Sequence, residues 1–271
     1  MFDAMAASYD ELEPWYEHLY AVLHDLVRSG LTPPAGGGLR RALDAGCGTG
    51  FQTAVLVAQG YRTSGLDLSG AMLHVARRRY PAARFVRGDL ETLPWRDSAF
   101  DVVVSCGSTL SFLERPSRAL REIGRVLRPG GRALLEVEHR WSLDLVWRLL
   151  SSAVGDPLRY GATAAEARAA FARPLGVGIT MAYPGYPRLR LFTRSELGGL
   201  LADAGLAPMR AWGVHSLTNV IPSTVLHRPR LGRVAAAAYR VLRALDRALA
   251  ATGAGRSLAN SLIVLAAKPP A

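Results

Sequence analysis

The residues with the clearest chemical potential stand close together in the first third of the chain. LeuAspAlaGlyCysGlyThrGly (43–50) places Gly46, Gly48 and Gly50 in one short turn. Lacking Cβ atoms, such a turn takes positive φ at little cost and lets a ligand approach the backbone closely. A helix beginning after it offers free N–H groups to an anionic end such as a carboxylate. A dinucleotide reading wants glycine at position 51, which is Phe51, and Asp44 disfavours a pyrophosphate while suiting an ammonium group. Asp67 closes SerGlyLeuAspLeuSer (64–69), where an acid at a strand end can accept from both hydroxyls of a ribose. Asp89, in ArgGlyAspLeuGluThrLeuPro (87–94), can accept from an adenine amino group. Each acid alone reads more often as a cap or a solvated turn residue. Their placement at successive strand ends is the specific signal.

The elements that must position these groups follow from patterning. Leu12, Tyr16, Leu19, Leu23 and Leu26 predict a helix over 10–30, and PPAGGG (33–38) a linker. Strands are expected at 41–45, 63–68, 83–87, 100–106 and 132–138, with helices at about 50–59, 70–79 and 116–127 between them. Phe100–Cys106 is continuously apolar, as in a strand covered on both faces. ArgProGlyGly (128–131) stops the helix before the fifth strand. Such alternation implies right-handed crossovers and a parallel sheet, with ligands at the C-terminal strand ends. Residues 139–192 read as irregular, and a helix at 194–204 and strands at 206–212 and 261–267 restore order around an insertion at 213–260.

The motifs LDAGCGTG, GLDLSGAML, GDLETLPW, FDVVVS and LREIGRVLRPGGRALLEVEH resemble the ordered motifs of the class I S-adenosylmethionine-dependent methyltransferases, and most nearly the ubiquinone/menaquinone-biosynthesis branch. The resemblance is strong over about residues 40–138 and loose over 193–213 and 261–267. It implies a Rossmann-like α/β fold with a mostly parallel seven-stranded sheet, an antiparallel last strand and cap insertions. It implies an N-terminal lid (1–38), a cofactor core (39–138), a cap (139–192) and a C-terminal part (193–271). It also implies S-adenosyl-L-methionine as cofactor, S-adenosyl-L-homocysteine as product, and no metal. Gly46, Gly48 and Gly50 would pack on the methionine moiety with Asp44 facing its ammonium and Cys106 beside it. Asp67 would hold the ribose, Leu68 and Met72 the adenine, and Asp89 and Leu90 its edge. Tyr9, in AlaSerTyrAsp (7–10), would close over the cofactor. The Asn/Asp-Pro-Pro-aromatic signature of base-modifying enzymes is absent, which argues against nucleic-acid bases as substrate.

A general base is useful only for a weakly acidic acceptor, and His139, directly after the fifth strand, is the candidate, with a plain strand-exit role as its rival. His18 and His215 are weaker candidates, and His24, His74 and His227 read as solvated. Trp141, Trp147, Tyr160, Phe171, Tyr183, Tyr186 and Trp212 would roof an acceptor pocket, suiting a small apolar or aromatic molecule, and ordinary packing of the cap explains them equally well. Residues 230–249 pattern as an amphipathic helix with Leu231, Val234, Ala238, Val241, Leu242, Leu245 and Leu249 on one side and arginines opposite. The preferred reading is a cap helix with a solvated basic face; peripheral membrane-surface contact is the alternative. The charge of +11 is almost all arginine in a chain rich in Ala and Leu, so it does not by itself select nucleic acid. Two cysteines without ligand spacing, and no leader-like N-terminus, lead us to expect a cytoplasmic protein. The rival functions are an RNA or protein methyltransferase and a cofactor-binding protein without turnover.

Overall fold

The computed structural model describes residues 2–6, 14–31, 40–183, 186–228, 230–252 and 255–270; Tyr9 lies outside them. The chain runs through helices α1 (Phe2–Met5) and α2 (Pro14–Gly30), then strand β1 (Arg41–Ala45), α3 (Phe51–Ala58), β2 (Arg62–Asp67), α4 (Gly70–Arg79), β3 (Arg84–Arg87) and β4 (Phe100–Ser105). A 3-10 turn (Thr109–Phe112), α5 (Pro116–Val126) and β5 (Leu127–Glu138) follow. Local chemistry sets several of these ends. The Ser69 hydroxyl accepts from the Met72 N–H and starts α4, and Pro116 opens α5 where no N–H is needed.

One sheet holds seven strands in the order β3-β2-β1-β4-β5-β9-β8, with β8 (Ala207–Val214) and β9 (Ser261–Ala267) contributed from the C-terminal part. The pairs joining β1 to β5 with β2, β3 and β4 are parallel, whereas β9 runs antiparallel to both β5 and β8. The antiparallel last strand is as expected. Val103, Leu135, Val137 and Val264 face one side of the sheet, under α5 and α8 (Arg194–Asp203). Val104, Leu134, Ile263 and Leu265 face the other, where Leu19 and Leu23 of α2 and Leu56 of α3 cover them. Burial on both faces explains why β4 reads as an unbroken apolar run.

The stretch 139–192 is more ordered than expected. It forms α6 (Leu143–Ala153), α7 (Ala164–Ala172) and an antiparallel hairpin of β6 (Ile179–Tyr183) and β7 (Tyr186–Leu191). A capping box between Thr163 and Glu166 fixes the start of α7. The insertion at 213–260 contains a 3-10 turn (Thr218–Val220), α9 (Ser223–Leu226) and α10 (Arg233–Thr252).

Helix α10 packs through a different face from the one its apolar pattern suggests. Tyr239, Asp246 and Ala250 are buried, while Val234, Val241 and Leu245 are 85%, 63% and 51% exposed. The cause is a polar anchor. Asp246 accepts from the N–H groups of Ser216 and Leu217 and from the Thr218 hydroxyl, and His18 Nε2 of α2 lies 3.4 Å away. His215 completes this buried cluster, its Nδ1 2.9 Å from Thr218 Oγ1 and its ring edge-on to His18. Arg243 and Arg247 then pair with Glu17 and Asp25 of α2. Anchoring Asp246 inward rotates the aliphatic stripe out to solvent.

Candidate active site

Two cavities meet beyond the C-terminal ends of β1, β2, β4 and β5. The first, of about 230 Å³, is lined by Gly46, Cys47 and Gly48 after β1, by Asp67, Leu68 and Met72 after β2, and by Asp89 and Leu90 after β3. Cys106, Thr109 and Phe112 close it from the β4 side, and Phe2 and Tyr20 from the N-terminal helices. Gly46 has φ +83, and a Cβ there would stand 2.3 Å from the Thr109 side chain, so only glycine keeps this wall open. Asp67 accepts from the Gly48 and Ser69 N–H groups at 2.8 Å each, which braces the turn across the cavity floor. Burial raises the Asp67 carboxyl above its usual range while these N–H bonds oppose the rise. Each of its oxygens retains a lone pair for a ligand hydroxyl.

Of the residues expected to hold a cofactor, Gly46, Gly48, Asp67, Leu68, Met72, Asp89, Leu90 and Cys106 line this one cavity. Asp44 and Gly50 do not line it. Gly50 has φ +99 and precedes α3 against the Tyr80 ring, 2.7 Å from where a Cβ would sit, so its role there is packing. Asp44 sits buried beneath the turn, and the Thr53 hydroxyl donates to its Oδ2 at 2.6 Å. Burial pushes its carboxyl up to about 7, against the Thr53 hydrogen bonds, and its Oδ1 has no hydrogen-bond partner. A buried acceptor left over beside a glycine cradle fits an incoming ammonium group, which supports S-adenosylmethionine as the ligand. Burial also raises the Cys106 thiol well above its ordinary value, so Cys106 is a neutral wall residue.

The second cavity, of about 560 Å³, adjoins the first at Phe112, which lines both, and at Ser108, whose neighbours Gly107 and Thr109 line the first. Tyr16 of α2, Leu158 and Leu189 of the stretch 139–192, and Thr224 and His227 around α9 enclose it, so three separate segments form its roof. Glu138, the last residue of β5, is one of its buried polar groups. Ser108 Oγ donates to Glu138 Oε1 at 2.7 Å and Asn260 Nδ2 to Oε2 at 2.6 Å. Burial, then the neighbouring Glu136 charge, pushes the Glu138 carboxyl up; burial does the same to Glu136, which accepts from the Ser108 N–H at 2.5 Å. Ser108 holds this arrangement from a left-handed conformation, φ 60, at a turn where strain is tolerated for position.

His139 is not brought to this cavity. Side chains alternate along β5, so Glu136 and Glu138 share one face and His139 points to the other. There it is buried beside Trp141 and Leu197, its Nδ1 3.0 Å from the Ala259 carbonyl, and burial keeps it neutral by lowering its pKa. The aromatic residues expected as a roof are also used otherwise. Tyr160 is fully buried and donates to Asp144 Oδ1 at 2.6 Å, Trp147 Nε1 donates to the Asn219 carbonyl, and Trp212 packs in the sheet core. Phe171 packs with the small core of the cap, and the side chains of Tyr183 and Tyr186 lie outside the described ones. His227, expected to be solvated, lines the cavity instead, whereas His18 and His215 are fully buried away from it. Glu138 was missed because it was read only as a strand end; Glu-x-Glu closing a strand next to a presumed cofactor turn was the available signal.

Comparison with known proteins matches residues 43–135 to a family described as a methyltransferase domain. A malonyl-[acyl-carrier protein] O-methyltransferase of Methylococcus capsulatus is 31% identical over 250 residues, covering 89% of this chain and 84% of that protein. A demethylmenaquinone methyltransferase of Renibacterium salmoninarum is 34% identical, over 49% of this chain and 58% of its own. The chain spans only between 28% and 42% of the length of the first curated relatives it matches. Among solved structures, the 1,6-didemethyltoxoflavin-N1-methyltransferase of Burkholderia thailandensis, with S-adenosylhomocysteine bound, superposes with a TM-score of 0.54 at 20% identity, covering 98% of this chain and 83% of that one. Fold, glycine turn, cavity and similarity over 89% of the chain agree, and the chain belongs to the S-adenosylmethionine-dependent methyltransferase family.

Proposed function

We propose that this protein transfers the methyl group of S-adenosylmethionine to a hydroxyl oxygen of a small molecule held in the larger cavity, with Glu138 receiving the proton. The observation that carries this reading is a buried carboxyl, with its pKa raised, in the larger cavity and hydrogen-bonded to Ser108 beside the smaller one. The cofactor supplies an electrophilic sulfonium methyl. The smaller cavity would take it with Asp67 toward the ribose, Leu68, Met72, Asp89 and Leu90 around the adenine, and the unsatisfied Asp44 Oδ1 toward the ammonium. The protein's own contribution is alignment of the acceptor and exclusion of water. Ser108 and Asn260 fix the Glu138 carboxyl in one orientation, and the raised pKa makes its carboxylate, once formed, a stronger proton acceptor than that of an exposed glutamate. A cavity of about 560 Å³ suits a small molecule. The test is methyl transfer from labelled S-adenosylmethionine to a panel of phenols, enols and carboxylic acids, with Glu138→Gln as control. Transfer only to amines, unchanged in Glu138→Gln, contradicts the reading.

The outer face of α10 supports a second statement about partners. We infer that it rests against an anionic membrane. Residues 207–260 carry eight arginines and a single acid, Asp246, which is buried. Arg233 and Arg240 are exposed beside the outward stripe of Val234, Val241 and Leu245. Aliphatic side chains flanked by arginine are the composition of a helix lying in a lipid interface. No described helix is long and apolar enough to cross a membrane.

A further inference from the structure

A third hollow, of about 390 Å³, lies in the cap between α6, α7 and the β6–β7 hairpin, and the methyl-transfer reading makes no use of it. Four arginines line it: Arg148 of α6, Arg173 just after α7, and Arg188 and Arg190 of β7. Its floor is small or apolar, with Ala169, Ala170, Gly178 and Ile179. Glu166 is the single acid in the lining; its carboxylate accepts from the backbone N–H and hydroxyl of Thr163, and its charge also faces Arg188 and Arg148. Arg190 is paired with Glu196.

The guanidinium groups are graded in depth. Arg148 is fully buried with its charge 5.3 Å from the centre of the Tyr160 ring, Arg190 is half-buried, and Arg173 and Arg188 stand exposed at the rim. Asp156, which lies near Arg148, has its oxygens taken by the Ser151 hydroxyl and by the N–H groups of Tyr160 and Gly161. Four guanidinium groups in the lining against the single carboxylate of Glu166 leave the hollow cationic, which favours an anion there. A buried guanidinium at the base offers a planar fork of donors that matches tetrahedral oxyanions. Alternation along β7 sends Leu189 to the acceptor cavity and Arg188 and Arg190 to this one. The two sites therefore share a wall and take different groups.

We propose that this cleft binds a phosphate group, with Arg148 reaching it at the base and Arg173 and Arg188 drawing it in from the rim. The group is either free phosphate or the phosphate of a larger organic ligand, and the volume admits both. The test uses inorganic phosphate and phenyl phosphate, titrated calorimetrically into the full chain at constant ionic strength. Saturable binding of inorganic phosphate is expected, weakened at least tenfold in Arg173→Gln/Arg188→Gln, which alters exposed residues only. Arg148→Gln removes the base of the site, and its thermal unfolding in the absence of phosphate shows whether it remains folded. Arg233→Gln/Arg240→Gln on α10 removes the same charge elsewhere and is expected to leave binding unchanged. Phenyl phosphate binding several-fold tighter assigns the site to a phosphate on an organic body; equal binding assigns it to the free anion. Absence of saturation, equal binding by the rim variant, or an equal loss in the α10 variant overturns the proposal.

Discussion

Glu138 accepts hydrogen bonds on both carboxylate oxygens and sits buried beside a second carboxyl, Glu136. Burial first, and the Glu136 charge second, raise its pKa, so it holds its proton at pH values where an exposed glutamate has lost it. If it is the proton acceptor, kcat should be low in acid, climb as pH rises through the raised value, and level off above it. Glu138→Gln should lower kcat by roughly 10²–10⁴-fold and flatten that climb while leaving cofactor affinity intact. A variant that keeps the wild-type pH profile would remove Glu138 from the chemistry. His139→Ala, on the opposite face of β5, should change kcat by less than about fivefold at any pH. Much of the cofactor side was legible residue by residue because its side chains stand next to the strand ends in sequence. The acceptor side was not, because Tyr16, Ser108, Glu138, Leu158, His227 and Asn260 come from segments far apart in the chain and meet only on folding. Asp44 was legible as a type but not as a position: it lies under the glycine turn, with Thr53, rather than in the cavity wall.

At the scale of elements, the strands and helices of the central sheet were readable to within a residue or two for most of them. Unbroken apolar runs and Gly/Pro stops leave little choice there. The cap was not, since Pro and Gly punctuation hides the short α6, α7 and the hairpin. Helix α10 was recognised, but its orientation was set by one buried acid that a hydrophobic pattern cannot anticipate. Burial would raise the Asp246 carboxyl, but the bonds with His18 and Thr218 outweigh it and leave the pKa below its ordinary value. An acid with a depressed native pKa adds stability that is present above the unfolded value, about 4, and lost as pH falls through the native one. Asp246→Asn should therefore reduce stability at neutral pH by about 1–3 kcal/mol and make unfolding between about pH 5 and 2 less pH-dependent. Denaturant melts of both forms across that range read the difference; parallel curves would deny Asp246 its anchoring role. For the outer face of the same helix, flotation with anionic vesicles at physiological salt should carry the wild type upward. Each arginine contributes about 1 kcal/mol near such a surface, so Arg233→Gln/Arg240→Gln should lose most of the binding. Equal flotation of the two proteins, or none by the wild type, would leave that stripe without a lipid partner.

For the whole molecule, a parallel sheet with one antiparallel strand carries two adjoining cavities at its C-terminal edge, one framed by the glycine turn and the other roofed by α2 and two insertions. The central claim is that the smaller cavity holds S-adenosylmethionine through Asp67. The direct measurement is calorimetric titration of S-adenosylhomocysteine into the wild type and Asp67→Ala, with NAD titrated in parallel. The wild type should bind S-adenosylhomocysteine one to one and give no saturable heat with NAD. Asp67→Ala, checked for folding by its thermal melt, should bind more weakly by about 1.5–3 kcal/mol, because hydrogen bonds from the ribose to a charged acceptor are lost. A wild type that ignores S-adenosylhomocysteine, or that binds NAD at micromolar concentration, would contradict the account.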